Sequence, residues 1–579
     1  MCSTWAKGHL WRGALIWGLT ALVYAGSLNN AFQYDDIHSI VDNPHIRSPA
    51  KIPAFFVDPA LFSADPRNAM YRPVVLVSYA LNHAISGYEV WSYHLFNLGI
   101  HLGVGSLVYA LVCQLGGGWR QGLMAGLIFA LHPVASEPVN YISSRSESLC
   151  AFFFLLAFLG HVRGGRKWFG VSLASFGAAL LAKSVAIAFL PVALAYELIF
   201  RRADLAWKSL LKRHGPLWLV GLVYLVGIRG ALDTALVSHP VRSLSVQGFT
   251  QIKAVVYYLK LWCMPWGLSV EHPFTLARGI GDGPVLAVFL VMGTAGALLL
   301  LHSGRQVLFW GLWAVLALLP SSAVPLNVLV NEHRLYLPAV AFSVLLAGLL
   351  AKLVEAQGRL GGTLVAVWLG SYGALAWQRS QVWQSPESLW QDALRKGSYM
   401  PRPHLFVGDG HQQAGRHEEA LREYALAHAV YPEVLSAGDQ VALFNNQGAA
   451  HLALGHRNEA MASYRQALAI DPIYTKAREA LEALVALQEL EWEPTAQLLH
   501  KKGLMLLIEN RPAQAAEALE ASLARQVRLE TYRALGMAYE QLGQVDEERR
   551  VYATLVALAP ESPFGRAAAA KLRELEGSK

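Results

Sequence analysis

Two adjacent carboxylates, Asp35 and Asp36, stand in the run Phe32-Gln33-Tyr34-Asp35-Asp36-Ile37-His38, just past an apolar stretch at 13–28. Neighbouring acids at a membrane face are costly unless they are solvated, paired or used. One of them within hydrogen-bond reach of a hydroxyl would act as a general base, taking the proton as the oxygen attacks. The other would orient the base, bind a substrate hydroxyl or hold a divalent cation. No HxxH or DxD pattern favours a metal, and the expected cofactor is none. Cations follow at intervals: Arg72 before Pro73, Arg145 in the run from His132 through Glu137 to Glu147, and His333 and Arg334 beside Glu332 in Asn331–Pro338, with Lys183 and Arg229 behind them. Guanidinium and ammonium groups of this kind stabilise negative charge that develops on a leaving group. Plainer readings stand beside these: a helix cap or solvated loop for the Asp pair, structural ion pairs for Glu137 with Arg145 and Glu332 with Arg334, and a satisfied interfacial histidine for His132.

The elements that must position these residues are membrane spans. Of 579 residues, 54% are hydrophobic and only 15% are charged, against about 25% charged in ordinary soluble domains. Apolar stretches near the length needed to cross a bilayer recur at 13–28, 92–114, 119–134, 148–162, 167–182, 185–200, 215–230, 284–302, 306–320, 336–353 and 361–378, about eleven spans. Threaded alternately, they gather Lys7, Arg12, Arg120, Arg163, Arg166, Lys167, Arg201, Arg202, Lys208, Lys212, Arg213, Arg305, Lys352 and Arg359 on one side, the cytoplasmic one by the positive-inside bias. The net charge of +7 therefore orients the chain, and no basic stripe with interleaved aromatics points to nucleic acid. The opposite side receives segments near 29–91, 135–147, 231–283 and 321–335, which carry the acids and histidines named above. Within them, 53–62, 71–86 and 249–266 have the spacing of interfacial helices, the last with Tyr257, Tyr258, Trp262 and Trp266 as anchors. The four cysteines show no metal or redox spacing.

After about residue 380 the composition turns net acidic and Ala-rich. Gly408, His411, Ala420, Tyr424, Ala427 and Pro432 fit the tetratricopeptide spacing, and Gly448, His451, Ala460, Tyr464, Ala467 and Pro472 repeat it. Gly503, Ala515 and Leu519 give a weaker copy, and Gly536, Tyr539, Tyr552 and Pro560 another. The expectation is an all-α chain: a polytopic membrane domain over 1–380, then an α-solenoid over 381–579 with repeats near 401–434, 441–474, 496–529 and 529–562. Its concave groove would hold an extended peptide or a partner helix.

The Tyr-Asp-Asp after the first span, the His132 to Glu147 loop, the Glu332–Pro338 segment and the trailing repeats together resemble the transmembrane and TPR-containing O-mannosyltransferases and their bacterial relatives, over nearly the whole chain. The resemblance implies a GT-C glycosyltransferase fold and an inverting transfer of sugar from a polyprenyl-phosphate carrier to an acceptor on the non-cytoplasmic side. The family's acidic motif falls on Asp35 and Asp36, the catalytic candidates. Arg72, His132, Glu137, Arg145, Lys183, Arg229, Glu332, His333 and Arg334 are then candidates for binding the lipid phosphate or the sugar. The expected partners are the lipid-linked sugar donor, an acceptor protein or peptide in the repeat groove, and the bilayer. High Ala, Leu and Arg usage favours a bacterial inner membrane with the repeats in the periplasm. Two alternatives remain, a flippase or transporter of lipid-linked sugar and a non-catalytic envelope scaffold.

Overall fold

The computed structural model describes residues 2–65, 68–201, 207–233, 241–489 and 495–577; Arg202 of the basic set lies outside them. The described residues form helices and turns, with no strand. Contacts divide the chain into two compact units, 1–398 and 399–579. The division falls after Ser398 rather than at 380 because the helix Pro386–Lys396 buries Leu389 with Trp383 and Tyr141 of the first unit.

In the first unit, helices occupy most of the apolar stretches, even with Pro216 inside Trp207–Gly227 and Pro320 inside Arg305–Ala323. Gly164 and Gly165 take φ of +67° and +80°, a left-handed turn open to glycine without steric cost. That turn folds Gly165–Ala182 back along Arg145–Arg163. Gly160 permits the close approach, since a Cβ there would sit 2.7 Å from the Trp168 carbonyl oxygen. Gly126 does the same for Val90–Gln114 and Gly118–Leu131, its Cβ position being 2.9 Å from the Gly105 carbonyl oxygen. Small residues at helix contacts are the usual means of packing helices in lipid. The core is aromatic: Phe158 meets Trp313 at 5.1 Å and Phe154 meets Phe189 at 5.3 Å between ring centroids.

Among the described residues, four helices are long and apolar enough to cross a membrane: Val90–Gln114, Ile142–Arg163, Arg305–Ala323 and Ala339–Val382. The bent pair Gly118–Leu131 and Pro133–Asn140, at 60°, makes a fifth if it is one span. Length and hydropathy thus do not establish about eleven. Ala339–Val382 contains a break at Gly358 (φ 54°), and it covers both stretches read as separate spans from sequence.

The external segments differ from expectation in detail. Residues 53–62 are not an α-helix; Pro53 and Pro59 break them into the 3-10 turns Pro49–Phe56 and Pro59–Phe62. A helix does form over Pro73–Ser86. Leu244–Cys263 is also helical, yet Tyr258 and Trp262 are buried in the protein instead of anchoring it at an interface, and only Trp266 is widely exposed.

The second unit is a series of antiparallel helix pairs: Pro401–Gln413 with His417–Ala429, Ala437–Ala453 with Arg457–Ile470, Ala496–Ile508 with Pro512–Arg525, and Leu529–Leu542 with Val545–Leu558. In each, a glycine of the first helix receives a ring or branched side chain of the second. A Cβ on Gly408, Gly448, Gly503 or Gly536 would lie 2.6, 2.7, 2.3 or 2.5 Å from Tyr424, Tyr464, Leu519 or Tyr552. An additional helix, Thr475–Glu489, follows the second pair and packs Ala477, Leu484 and Leu487 on it.

Candidate functional site

The segment 137–147 is the hub that joins the charged residues. It runs as a short helix, Glu137–Asn140, a 3-10 turn, Ile142–Ser144, and the start of Arg145–Arg163, so its side chains leave in several directions within a few residues.

Asp36 is fully buried and bonded to this hub. Its Oδ1 accepts from the Ser143 N–H at 2.8 Å and from the Ser143 hydroxyl, and its Oδ2 accepts from the Gln33 N–H at 2.9 Å. Burial pushes the carboxyl up to about 7, against the pull of those donors. Asp35 is different: its side chain is 41% exposed, and the His38 imidazole lies 3.6 Å away. Its own N–H donates to the Tyr141 hydroxyl at 3.1 Å, and Tyr141 stacks on Trp383 at 5.5 Å. Gln33 donates to the Trp383 carbonyl at 3.0 Å. Tyr34, just before the pair, has φ of 37°, a left-handed conformation that non-glycine residues adopt at a cost and that clusters at functional sites. One π-type turn, Ile37–Val41, follows directly. The two acids therefore leave a constrained backbone toward different surroundings, one locked and one reachable.

Three cationic or histidine side chains meet the same hub. His333 donates its N–H to Glu137 Oε2 at 3.1 Å, and its Nδ1 lies 2.7 Å from Glu137 Oε1. Its Nε2 is 3.9 Å from Glu147. Lys183 pairs with Glu147. Arg72, half-buried, donates to the Ser146 hydroxyl at 3.4 Å and covers the Phe62 ring at 5.7 Å. Ser146 in turn donates to the Ser143 carbonyl at 3.4 Å, one residue from Arg72's contact to the partner of Asp36. Among the described residues, no carboxylate lies within ion-pair distance of Arg72.

Five of the candidates read from sequence do not join this group. Arg145 is completely buried and spent on protein acceptors: Asn97 at 2.6 Å, Ser78 at 3.0 Å, Asn82 at 2.6 Å and the Tyr93 carbonyl at 2.8 Å, between the rings of Tyr79 and Phe96. Its role is to fasten three elements, and it is not paired with Glu137. His132 uses both nitrogens on backbone, Nε2 with the Trp262 carbonyl at 3.0 Å and Nδ1 with the Val134 N–H at 3.2 Å; this is the satisfied interfacial histidine. Arg334 folds onto its own loop, donating to the carbonyls of Leu329 and Val328 at 3.0 and 2.6 Å, and leaves Glu332 to others. Buried Glu332 faces His272 at 3.3 Å and Arg379 at 3.5 Å. Arg379 continues to Asp392 at 3.2 Å, and Lys396 joins Asp392 at 2.6 Å. Arg229 is exposed on the short helix Arg229–Asp233.

Sequence reasoning missed Ser143 as the clasp of Asp36, and it missed the His272, Arg379, Asp392 and Lys396 network. A serine two positions from an arginine carries no signal by itself. Asp392 and Lys396 are four residues apart on one helix, but His272 and Glu332 come from segments far from Arg379 and from each other, so spacing could not have joined the whole set.

The tetratricopeptide repeat family matches residues 441–474. The chain is similar to the human protein O-mannosyl-transferase TMTC4, 24% identical over 487 residues, covering 72% of this chain and 66% of that protein. It is also similar to human protein O-mannosyl-transferase TMTC3, 24% identical over 512 residues, 79% of this chain and 55% of that protein. The chain thus spans less than two thirds of the length of these relatives. Among solved structures, ArnT from Cupriavidus metallidurans bound to undecaprenyl phosphate is matched at 14% identity with a TM-score of 0.37, over 97% of this chain and 95% of that one. By sequence, the chain is similar to the TMTC protein O-mannosyl-transferases.

Proposed function

We propose that the chain is an inverting glycosyltransferase of GT-C type with about eleven spans, carrying sugar from a polyprenyl-phosphate donor to a protein hydroxyl at the periplasmic face of a bacterial inner membrane. Asp35 is the base: the acceptor oxygen attacks the anomeric carbon, its proton passes to Asp35, and the bond to the phosphate oxygen breaks with its electron pair leaving on the phosphate. Asp36 is a positioning residue that holds the loop through Ser143. Arg72 meets the phosphate, with Lys183 and His333 flanking it. The repeats recruit the acceptor, and no metal is required.

The observation that carries this reading is Arg72 itself. It is a half-buried cation whose partners are a hydroxyl and a ring, and Ser146 and Ser143 link it to the Asp36 loop. A buried or partly buried charge without a counter-charge is costly, and an anionic donor supplies one. An apolar groove of about 670 Å³ lined by Ile85, Trp91, Leu95, Phe96, Leu149 and Phe152, with Asn82 and Ser92 in its wall, suits a prenyl chain. The test is transfer from polyprenyl-phosphate mannose, and from other polyprenyl-phosphate sugars, to Ser/Thr peptides by the purified full chain. Arg72→Gln is expected to raise the donor KM with the fold intact. Undiminished turnover in both Asp35→Asn and Asp36→Asn would overturn the mechanism.

A further inference from the structure

At the other end of the helix that begins at Arg145 sits a cluster that the transferase reading does not use. His161 lies in the last turn of Arg145–Arg163, Glu197 near the end of Phe189–Phe200, and His214 in the first half of Trp207–Gly227. All three are buried, with Glu197 wholly inaccessible. One ligand atom from each lies within 4.8 Å of the others. Sixteen residues of helix separate His161 from Arg145, a distance of about 24 Å, so the cluster is remote from Asp35.

Two observations point to a ligand there. First, both nitrogens of His214 are buried without a hydrogen-bond partner, while His161 Nε2 and the two Glu197 oxygens, also buried, have only ion-pair contacts at 3.2, 3.3 and 3.7 Å. Such groups are almost always satisfied in folded proteins, and an exception calls for an ion or a water. Second, the donor set is two imidazoles and one carboxylate, the borderline nitrogen and oxygen ligands that Zn2+ takes. His161 Nε2 and Glu197 Oε1 are already 3.2 Å apart. Bond lengths near 2.0 Å place adjacent ligand atoms of a tetrahedral site about 3.3 Å from each other, so only His214 must draw inward.

We propose that His161, Glu197 and His214 form a structural Zn2+-type site that ties three helices together. The fourth position is a water. Arg213, 3.3 Å from Glu197 Oε2, orients the carboxylate in the manner of outer partners of metal ligands. The opposing term is charge, because Arg213 and Arg201 already face Glu197, the latter at 3.7 Å. Both guanidiniums reach solvent, with 23% and 28% of the side chain exposed, and water and salt screen them from the ion. The repulsion that remains makes a prediction of its own: Arg201→Gln tightens metal binding.

The test uses the purified full chain in detergent, stripped with EDTA and titrated with Zn2+ by calorimetry and metal analysis, then with Co2+ by visible absorption. The expected result is about one Zn2+ per chain, a Co2+ spectrum of low coordination number, and an increase in melting temperature on loading. His161→Gln and His214→Gln should each lower metal content about tenfold or more, and Arg201→Gln should raise affinity several-fold. Wild-type protein that takes up no Zn2+, or uptake that survives both histidine substitutions, overturns the site. If the histidine variants do not fold, the wild-type Co2+ spectrum and the Arg201→Gln affinity decide: an octahedral spectrum with unchanged or weaker affinity rejects it.

Discussion

At the scale of single residues, the adjacent acids separate by burial. Asp35→Asn leaves every bond of the Asp36 clasp in place, so transfer should fall about 10²- to 10⁴-fold while melting temperature holds. Asp36→Asn does the reverse. Its amide nitrogen cannot accept from Ser143 or Gln33, and a buried donor loses its acceptor at a cost of about 1–3 kcal/mol, visible as a lower melting temperature. The same carboxyl carries a pH signature. In the folded chain it holds its proton up to about 7, and its ordinary value is 3.8. Between those values the folded state therefore binds more protons than the unfolded one, and stability falls as pH rises through the window. Melting curves of wild type against Asp36→Asn from pH 4 to 7 should show that slope in the wild type and not in the variant. Arg145 gives a third residue-scale outcome. Lysine cannot reach acceptors on Asn97, Ser78, Asn82 and Tyr93 together, so Arg145→Lys should cost roughly 3 kcal/mol or more and reduce folded yield by size-exclusion chromatography. A folded, stable but inactive Arg145→Lys protein would return the residue to the substrate site.

At the scale of elements, the glycines of the helix pairs are where sequence and packing agree most closely. The spacing from Gly448 to Tyr464 was legible because a small residue facing a large side chain, a tyrosine ring in three copies and Leu519 in the other, recurs at a fixed offset, and a side chain at Gly448 would meet that ring. Gly448→Val should overpack the pair by about 1–3 kcal/mol. Gly410, helical with nothing within 4 Å of its Cβ position, should accept alanine and gain about 0.5–1 kcal/mol; thermal unfolding of the two variants measures both. The element Thr475–Glu489 was not legible, because it breaks the repeat and carries no motif beyond its apolar positions. The stretch 53–62 was misread for the opposite reason. Its apolar spacing is helical, yet two prolines remove donors and hold it in 3-10 turns.

For the whole molecule, the alternation of basic and acidic connections sets an expectation of sidedness. A single cysteine placed at Gly281 and one at Gly165, both exposed, should react with an impermeant maleimide from opposite sides of the membrane; labelling from the same side would refute the threading. Composition, hydropathy and repeat spacing were enough to determine that this is an all-helical chain in two parts, with apolar helices first and helical repeats after, because those properties are carried by local runs of residue type. They also placed Asp35, Asp36, Arg72, Lys183, Glu137 and His333 among the candidates. Only tertiary structure decided which of those six meet around 137–147, why Glu332 and His333 part company although adjacent, and why Arg145 and His132 serve the scaffold. Burial and hydrogen-bond partners are set by segments distant in sequence: Ser143 reaches back to Asp36, and Asn97 and Asn82 reach Arg145. A charged residue acquires its task from the acceptors that the fold brings to it, and no local pattern records them.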